Sequence, residues 1–152
     1  MNEVDAIGEI ISVLSGSAPF SGSNPLYSAV KFVPEYPLLS METPTVAFSP
    51  VGGSNRPRGL GTVQRIGRPN FQVDVLADTS LEARRIFQRV RQAIQADYEN
   101  GDGSGLIGHG YLRGKLIKSV TFGEPRSAVW DEAGRVQRVL ADMTVQYLEE
   151  EV

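Results

Sequence analysis

Between residues 71 and 98 the spacing of apolar positions changes period, and the change marks two elements. Phe71, Val73, Val75 and Ala77 alternate with Gln72, Asp74 and Leu76, the period of two expected of a strand with one buried face. From Ser80 the spacing becomes helical: Ala83, Ile86, Phe87, Val90, Ile94 and Tyr98 fall on one stripe. Arg84, Arg85, Gln88, Arg89, Arg91, Gln92 and Gln95 fall on the opposite side. Asp78-Thr79-Ser80 precedes the stripe, with Thr79 and Glu82 spaced as a capping box. The pattern predicts a strand over 71–77 and a helix running to about Tyr98.

The same reading extends in both directions. Residues 3–14 predict a helix with Val4, Ile7, Ile10, Ile11 and Leu14 on its buried face and Asp5, Gly8, Glu9 and Ser12 opposite. Asn2 stands at its N-cap position and Gly16 ends it. Residues 15–25, rich in Ser, Gly and Pro, read as loop. Tyr27–Val33 predicts a strand with Val30 and Phe32 on one face, stopped by Pro34 and Pro37. Thr45–Ser49 predicts another, directly after Pro44.

Past the second helix, Asn100–Gly110 is a glycine-rich breaker. Leu116–Phe122 predicts a strand, with Leu116, Lys118, Val120 and Phe122 opposed to Ile117, Ser119 and Thr121. Residues 124–134 read as a turn region around Pro125 and Asp131-Glu132-Ala133-Gly134. Val139, Ala141, Met143, Val145 and Tyr147 then alternate with Arg138, Leu140, Asp142, Thr144 and Gln146 in a long closing strand. A turn-rich link makes the last two strands antiparallel partners.

Pro50–Pro69 fits none of these patterns. It holds Gly52-Gly53, weak alternation over Thr62–Ile66, four arginines (Arg56, Arg58, Arg65, Arg68) and no acid. An extended β-hairpin arm or loop projecting from the sheet is expected there, since long irregular stretches in small domains tend to be functional. A plain surface loop is the alternative. The fold class that results is α/β (α+β): a single domain over 1–152, with a mixed, mostly antiparallel sheet packed by two helices in the order α-β-β-β-α-β-β. The arm occupies 50–69 and an acidic tail 149–152.

Composition narrows the function classes. A chain of 152 residues that is 41% hydrophobic supports one core. The absence of cysteine excludes disulfides, thiolate metal sites and cysteine nucleophiles. No apolar run reaches the length of a membrane span, and the N-terminus lacks the pattern of a signal peptide. The net charge of -3 hides a banding: residues 1–55 hold five acids and one base, 56–91 eight arginines and three acids, 92–152 ten acids and six bases. Such banding suits contact between copies of one chain or with a charged neighbour. It equally suits a mixed solvated surface, and a nucleic-acid binder is usually basic overall.

Candidate chemistry is sparse. His109 is the sole histidine and has no second ligand type at zinc spacing. Asn100-Gly-Asp102-Gly-Ser104-Gly105 imitates the start of a calcium loop, but Tyr111 stands where a bidentate glutamate belongs. Gly114-Lys115 is followed by Leu116, so no phosphate-cradling loop exists there. Asp74 and Asp142 alternate with apolar positions and are expected to face solvent or an interface rather than to act as general acid and base. Arg84 and Arg91 flank the buried stripe, where their stems can pack and their heads reach a partner. Trp130 reads as a core lid or an interface anchor. No catalytic residue and no cofactor or metal site is predicted, and the chain is expected not to be an enzyme.

The sequence resembles the tail terminator (tail completion) proteins of long-tailed bacteriophages. The resemblance rests on the helix 3–14, the strand Pro44-Thr-Val-Ala-Phe48, the block Phe71–Tyr98 and the final strand Arg138–Tyr147. It implies a virion protein, assembled in the host cytoplasm, that forms a ring, commonly a hexamer, at the head-proximal end of the tail. Such a ring stops tail-tube growth and receives the neck, while DNA passes its lumen without sequence-specific binding. The implied partners are further copies of the chain, the tail tube protein and a neck or head-completion protein. On this reading the polar face of helix 80–98 and the arm meet acidic surface of a neighbour, through Arg56, Arg58, Arg65, Arg68, Arg84, Arg85, Arg89 and Arg91. Reversal of Arg85 and Arg89 is then expected to weaken the ring. Glu149, Glu150 and Glu151 are expected at the lumen or its rim, where acids repel DNA. A neck or head-completion ring protein, a nucleic-acid-binding module using the arginine arm, and a small enzyme remain the alternatives.

Overall fold

The computed structural model describes residues 3–17, 20, 30–35, 43–57, 65–99, 117–129 and 136–149. In chain order the elements are α1 (Glu3–Ser15), β1 (Lys31–Val33), β2 (Thr45–Pro57), β3 (Arg65–Ala77), α2 (Ser80–Glu99), β4 (Ile117–Phe122), β5 (Arg126–Val129) and β6 (Gln137–Glu149). The strands form one sheet in the order β1-β2-β3-β6-β4, with β5 also paired to β6. Among the described strands β1 and β2 pair in parallel and the other pairs are antiparallel. The expected class and order hold, with β5 as an additional strand.

Both helices pack into a single core with one face of the sheet. Phe71, Val73, Val75 and Ala77 of β3 meet Val46 and Phe48 of β2 and Val139, Ala141, Met143, Val145 and Tyr147 of β6 on that face. Above them α2 lies across β3, β6 and β4, and α1 packs beside α2 and against β1. The periodicity of α2 is decisive here: Ile86, Phe87, Val90 and Ile94 are all buried. Their burial contributes on the order of 6–12 kcal/mol before conformational entropy is subtracted. Thr79 caps the helix as the spacing predicts, its Oγ1 accepting from the Glu82 amide at 3.1 Å.

Several elements differ from the sequence expectation, each for an identifiable reason. Val4 is 75% exposed, and Ala6 and Val13 take its place in the buried stripe of α1. The helical period sets Val4 beyond the half-buried Ile11, on the rim of the stripe and turned away from Ala6, Ile10 and Val13. Only Lys31–Val33 of the predicted strand 27–33 is strand among the described residues. Residues 124–134 are not all turn, because Arg126–Val129 pairs with Gln137–Leu140. In β4 the register shifts between Ile117 and Ser119. That bulge puts Ile117 in the core with Val120 and Phe122 and leaves Lys118 exposed, where strict alternation had placed Ile117 on the other face.

β4 and β5 act as one interrupted strand along β6. Phe122 pairs with Met143 and Arg126 with Leu140, so three residues stand against two across the gap. Pro125, which lacks an N–H, is tolerated at this break on an outer strand. The Gly123 amide spans it by donating to the Asp142 carbonyl at 2.8 Å.

The arginine-rich arm is an extension of the sheet. β2 and β3 pair continuously from Thr45↔Leu76 outward to Pro57↔Arg65, with one bulge between Pro50 and Gly52. Gly52 takes φ +137 there, a backbone conformation only glycine adopts without strain. β6 backs the outer half of β3 as far as Glu149↔Arg65. The tip, including Arg58, lies outside the described residues.

Candidate functional site

The second face of the sheet mixes the buried Ala47 and Leu76 with polar side chains that staple the β3–β6 seam. Asp74 is fully buried, contrary to the expectation that it faces solvent. Its Oδ1 accepts from Arg138 Nε and its Oδ2 from Gln72 Nε2 at 2.9 Å. Arg138 stands diagonally across the ladder, two pairs beyond Asp74↔Leu140 and opposite Leu76, and carries the charge that a buried carboxylate needs. Further along the seam Thr144 Oγ1 donates to Asn70 Oδ1 at 2.8 Å. The Gln146 amide then bridges Arg68 and the Ser119 hydroxyl, with its oxygen toward the guanidinium and its nitrogen 3.1 Å from Ser119 Oγ. Asp142, on the same face, is exposed as expected.

These contacts are directional and mostly satisfied within the chain. Their chemistry is that of registering strands. Asp74 is held by a fixed guanidinium and an amide, which gives it the surroundings of a structural carboxylate. Among the described residues no group of three or more His, Cys, Asp or Glu side chains converges in a way that would hold a metal ion. No helix among them is long and apolar enough to cross a membrane.

The helical layer carries the exposed charge. Arg84, Arg85, Arg89 and Arg91 are all exposed, and the helical period splits them into two flanks. Arg84 and Arg91, seven residues apart, share the flank that faces the β4–β5 edge, where Arg84 Nη2 donates to Ser127 Oγ at 2.7 Å. Arg85 and Arg89, four apart, lie on the opposite flank, the side on which α1 packs. Arg89 Nη1 is 3.4 Å from Gln92 Oε1. Asp5 on α1 is exposed and Glu9 half-buried. The two helices therefore present an acidic and a basic surface side by side.

The remaining predicted interface residues separate into three groups. Arg68 is exposed on β3 and engaged by Gln146. Arg56 and Arg65 occupy register positions at the outer end of the β2–β3 hairpin, opposite Ile66 and Pro57 respectively. Glu149 lies at that same end, paired in register with Arg65 of its own chain. Trp130, Glu150, Glu151, His109 and the calcium-like stretch 100–105 lie outside the described residues.

Sequence reasoning missed the Asp74–Arg138 pair and the Gln146 bridge. Both partners of each sit on the non-core parity of their strands, a signal present in the sequence, but the register that joins them is a tertiary fact.

No family model matches the sequence. No curated protein matches it either. Among solved structures the fold is similar to a chain in the virion of a native gene transfer agent (GTA) particle, with a TM-score of 0.52 and 12% sequence identity. The likeness covers 82% of this chain and 81% of that one. At this identity it is a likeness of fold, and it extends over about four fifths of each chain.

Proposed function

We propose that this chain is a structural protein of a phage-type virion, forming a ring at the head-proximal end of the tail. There it terminates polymerisation of the tail tube and joins the tail to the neck or head. The observation that carries this reading is the fold likeness, over about four fifths of each chain, to a chain of a gene transfer agent virion. The site geometry supports it from another direction: polar side chains on the sheet are used in holding strands together, while exposed charge is sorted between two helices. A molecule so arranged works by association, and its partners are further copies of itself, a tail tube protein and a neck or head-completion protein. DNA passes through the lumen without being read.

A neck or head-completion ring is a second reading that the same virion likeness favours, with ring size as the difference between them. The test is the native mass of the purified chain with negative-stain images. Closed hexameric rings are expected. A single-chain mass at every concentration, together with absence of the chain from purified particles, overturns the proposal. Salt-dependent retardation of labelled duplex DNA without ring formation would instead favour the nucleic-acid-binding alternative.

A further inference from the structure

We infer that the contact between neighbouring copies runs from the Arg84–Arg91 flank of α2 on one copy to the acidic face of α1 on the next. The inference rests on the ring reading above and specifies which surfaces meet.

Two observations carry it. First, α1 contains Glu3, Asp5 and Glu9 and no base, while α2 exposes four arginines, with Glu82 half-buried and Asp97 buried. The flank of α2 turned away from its own α1 finds its complementary charge on α1 of a second copy. Second, the order across the helical layer is α1, α2, then the β4–β5 edge. Arg85 and Arg89 already look toward their own α1, whereas Arg84 and Arg91 look away from it. Placing a second copy beside that edge sets its α1 against Arg84 and Arg91, so the layer repeats in one direction. Such a contact joins two different patches and closes into a ring when the rotation per copy permits.

Exposed ion pairs add little affinity singly, but opposed charged faces set orientation and exclude wrong partners. The contact is therefore expected to weaken with rising salt.

The test uses two reversed chains: Arg84→Glu with Arg91→Glu, and Asp5→Lys with Glu9→Lys. Sedimentation of each alone should show association weakened by about tenfold or more, with melting curves confirming that each is folded. Mixed in equal amounts, the two should co-assemble to the wild-type mass, because each reversed face finds an opposite face on the other chain. The milder pair Asp5→Asn with Glu9→Gln should fall between wild type and the reversal. Arg85→Glu with Arg89→Glu, which the sequence alone led us to expect would weaken the ring, should assemble as wild type does, because that flank lies on the side of the chain's own α1. The inference is overturned if the reversed chains assemble normally, if mixing fails to rescue them, or if the Arg85 and Arg89 reversal is the one that disrupts. Normal rings from every variant sink this contact and leave the virion reading standing. A wild-type chain that never associates and is missing from particles sinks both.

Discussion

The ring of Tyr147 occupies the space in which a side chain on Gly67 would stand. The two residues are register partners on β6 and β3. A Cβ added at Gly67 would press on Cζ, Cε2 and Oη of the ring, the last at 2.7 Å. Tyr147 is only 2% exposed, so the ring has little room to withdraw.

Gly67→Ala is therefore expected to destabilise the fold by about 1–3 kcal/mol, the usual cost of forcing volume into a packed site. At this chain length each kcal/mol lowers the melting temperature by roughly 2–4 °C. Calorimetry checks it, and an unchanged melting temperature would mean that the ring moves aside freely.

The Asp74–Arg138 pair gives an ordered prediction. Removing the cation strands a fully buried carboxylate, while removing the carboxylate leaves an arginine that is 17% exposed and can reach water. Arg138→Met should cost about 3–5 kcal/mol, and Asp74→Asn about 1–3 kcal/mol. Replacing both by apolar residues should recover much of the loss. Urea unfolding of the three variants tests this, and the reverse order of the single variants would refute it.

Thr79 supplies the cap of α2 through a 3.1 Å contact to the Glu82 amide. Thr79→Ala should lose about 1 kcal/mol, with Thr79→Ser close to neutral. Far-UV circular dichroism during thermal unfolding separates the two outcomes.

At Gly52 the backbone φ of +137 belongs to a region that side chains rarely tolerate. Gly52→Ala should cost roughly 1–3 kcal/mol. Its effect should be local: faster amide hydrogen exchange over 52–57 and 65–70, with β6 beyond Asn70↔Thr144 unchanged. Uniform loss of protection across the sheet would show that the bulge supports the whole fold.

How much of this was legible in the sequence depended on whether burial or pairing set the pattern. α2 was readable because one face of a long helix is buried along its length, so Ala83 through Ile94 recur at helical spacing. β6 was readable for the same reason, since Val139 through Tyr147 alternate between core and polar face. The outer halves of β2 and β3 were read only as an arm, because backbone pairing extends them past the core and pairing leaves no apolar period behind. β5 was hidden by Pro125 and the short length of its ladder. Of the interface, the exposure of the four α2 arginines could be anticipated. That Arg84 and Arg91 share one flank was also legible from the helical period, but which flank faces α1 and which faces β5 was not, because that depends on where α1 docks.

The position of β6 has a bearing on how the protein is made. Residues 137–149 are inserted between β3 and β4, so two strands synthesised earlier stay unjoined until that stretch emerges from the ribosome. The hairpin of β2 with β3 and the helix α2 rely on nearer neighbours and can form during translation, but sheet closure waits for contacts far apart in sequence. A polypeptide halted before Gln137 would expose the open sides of β3 and β4 together, the kind of unfinished edge that invites aggregation.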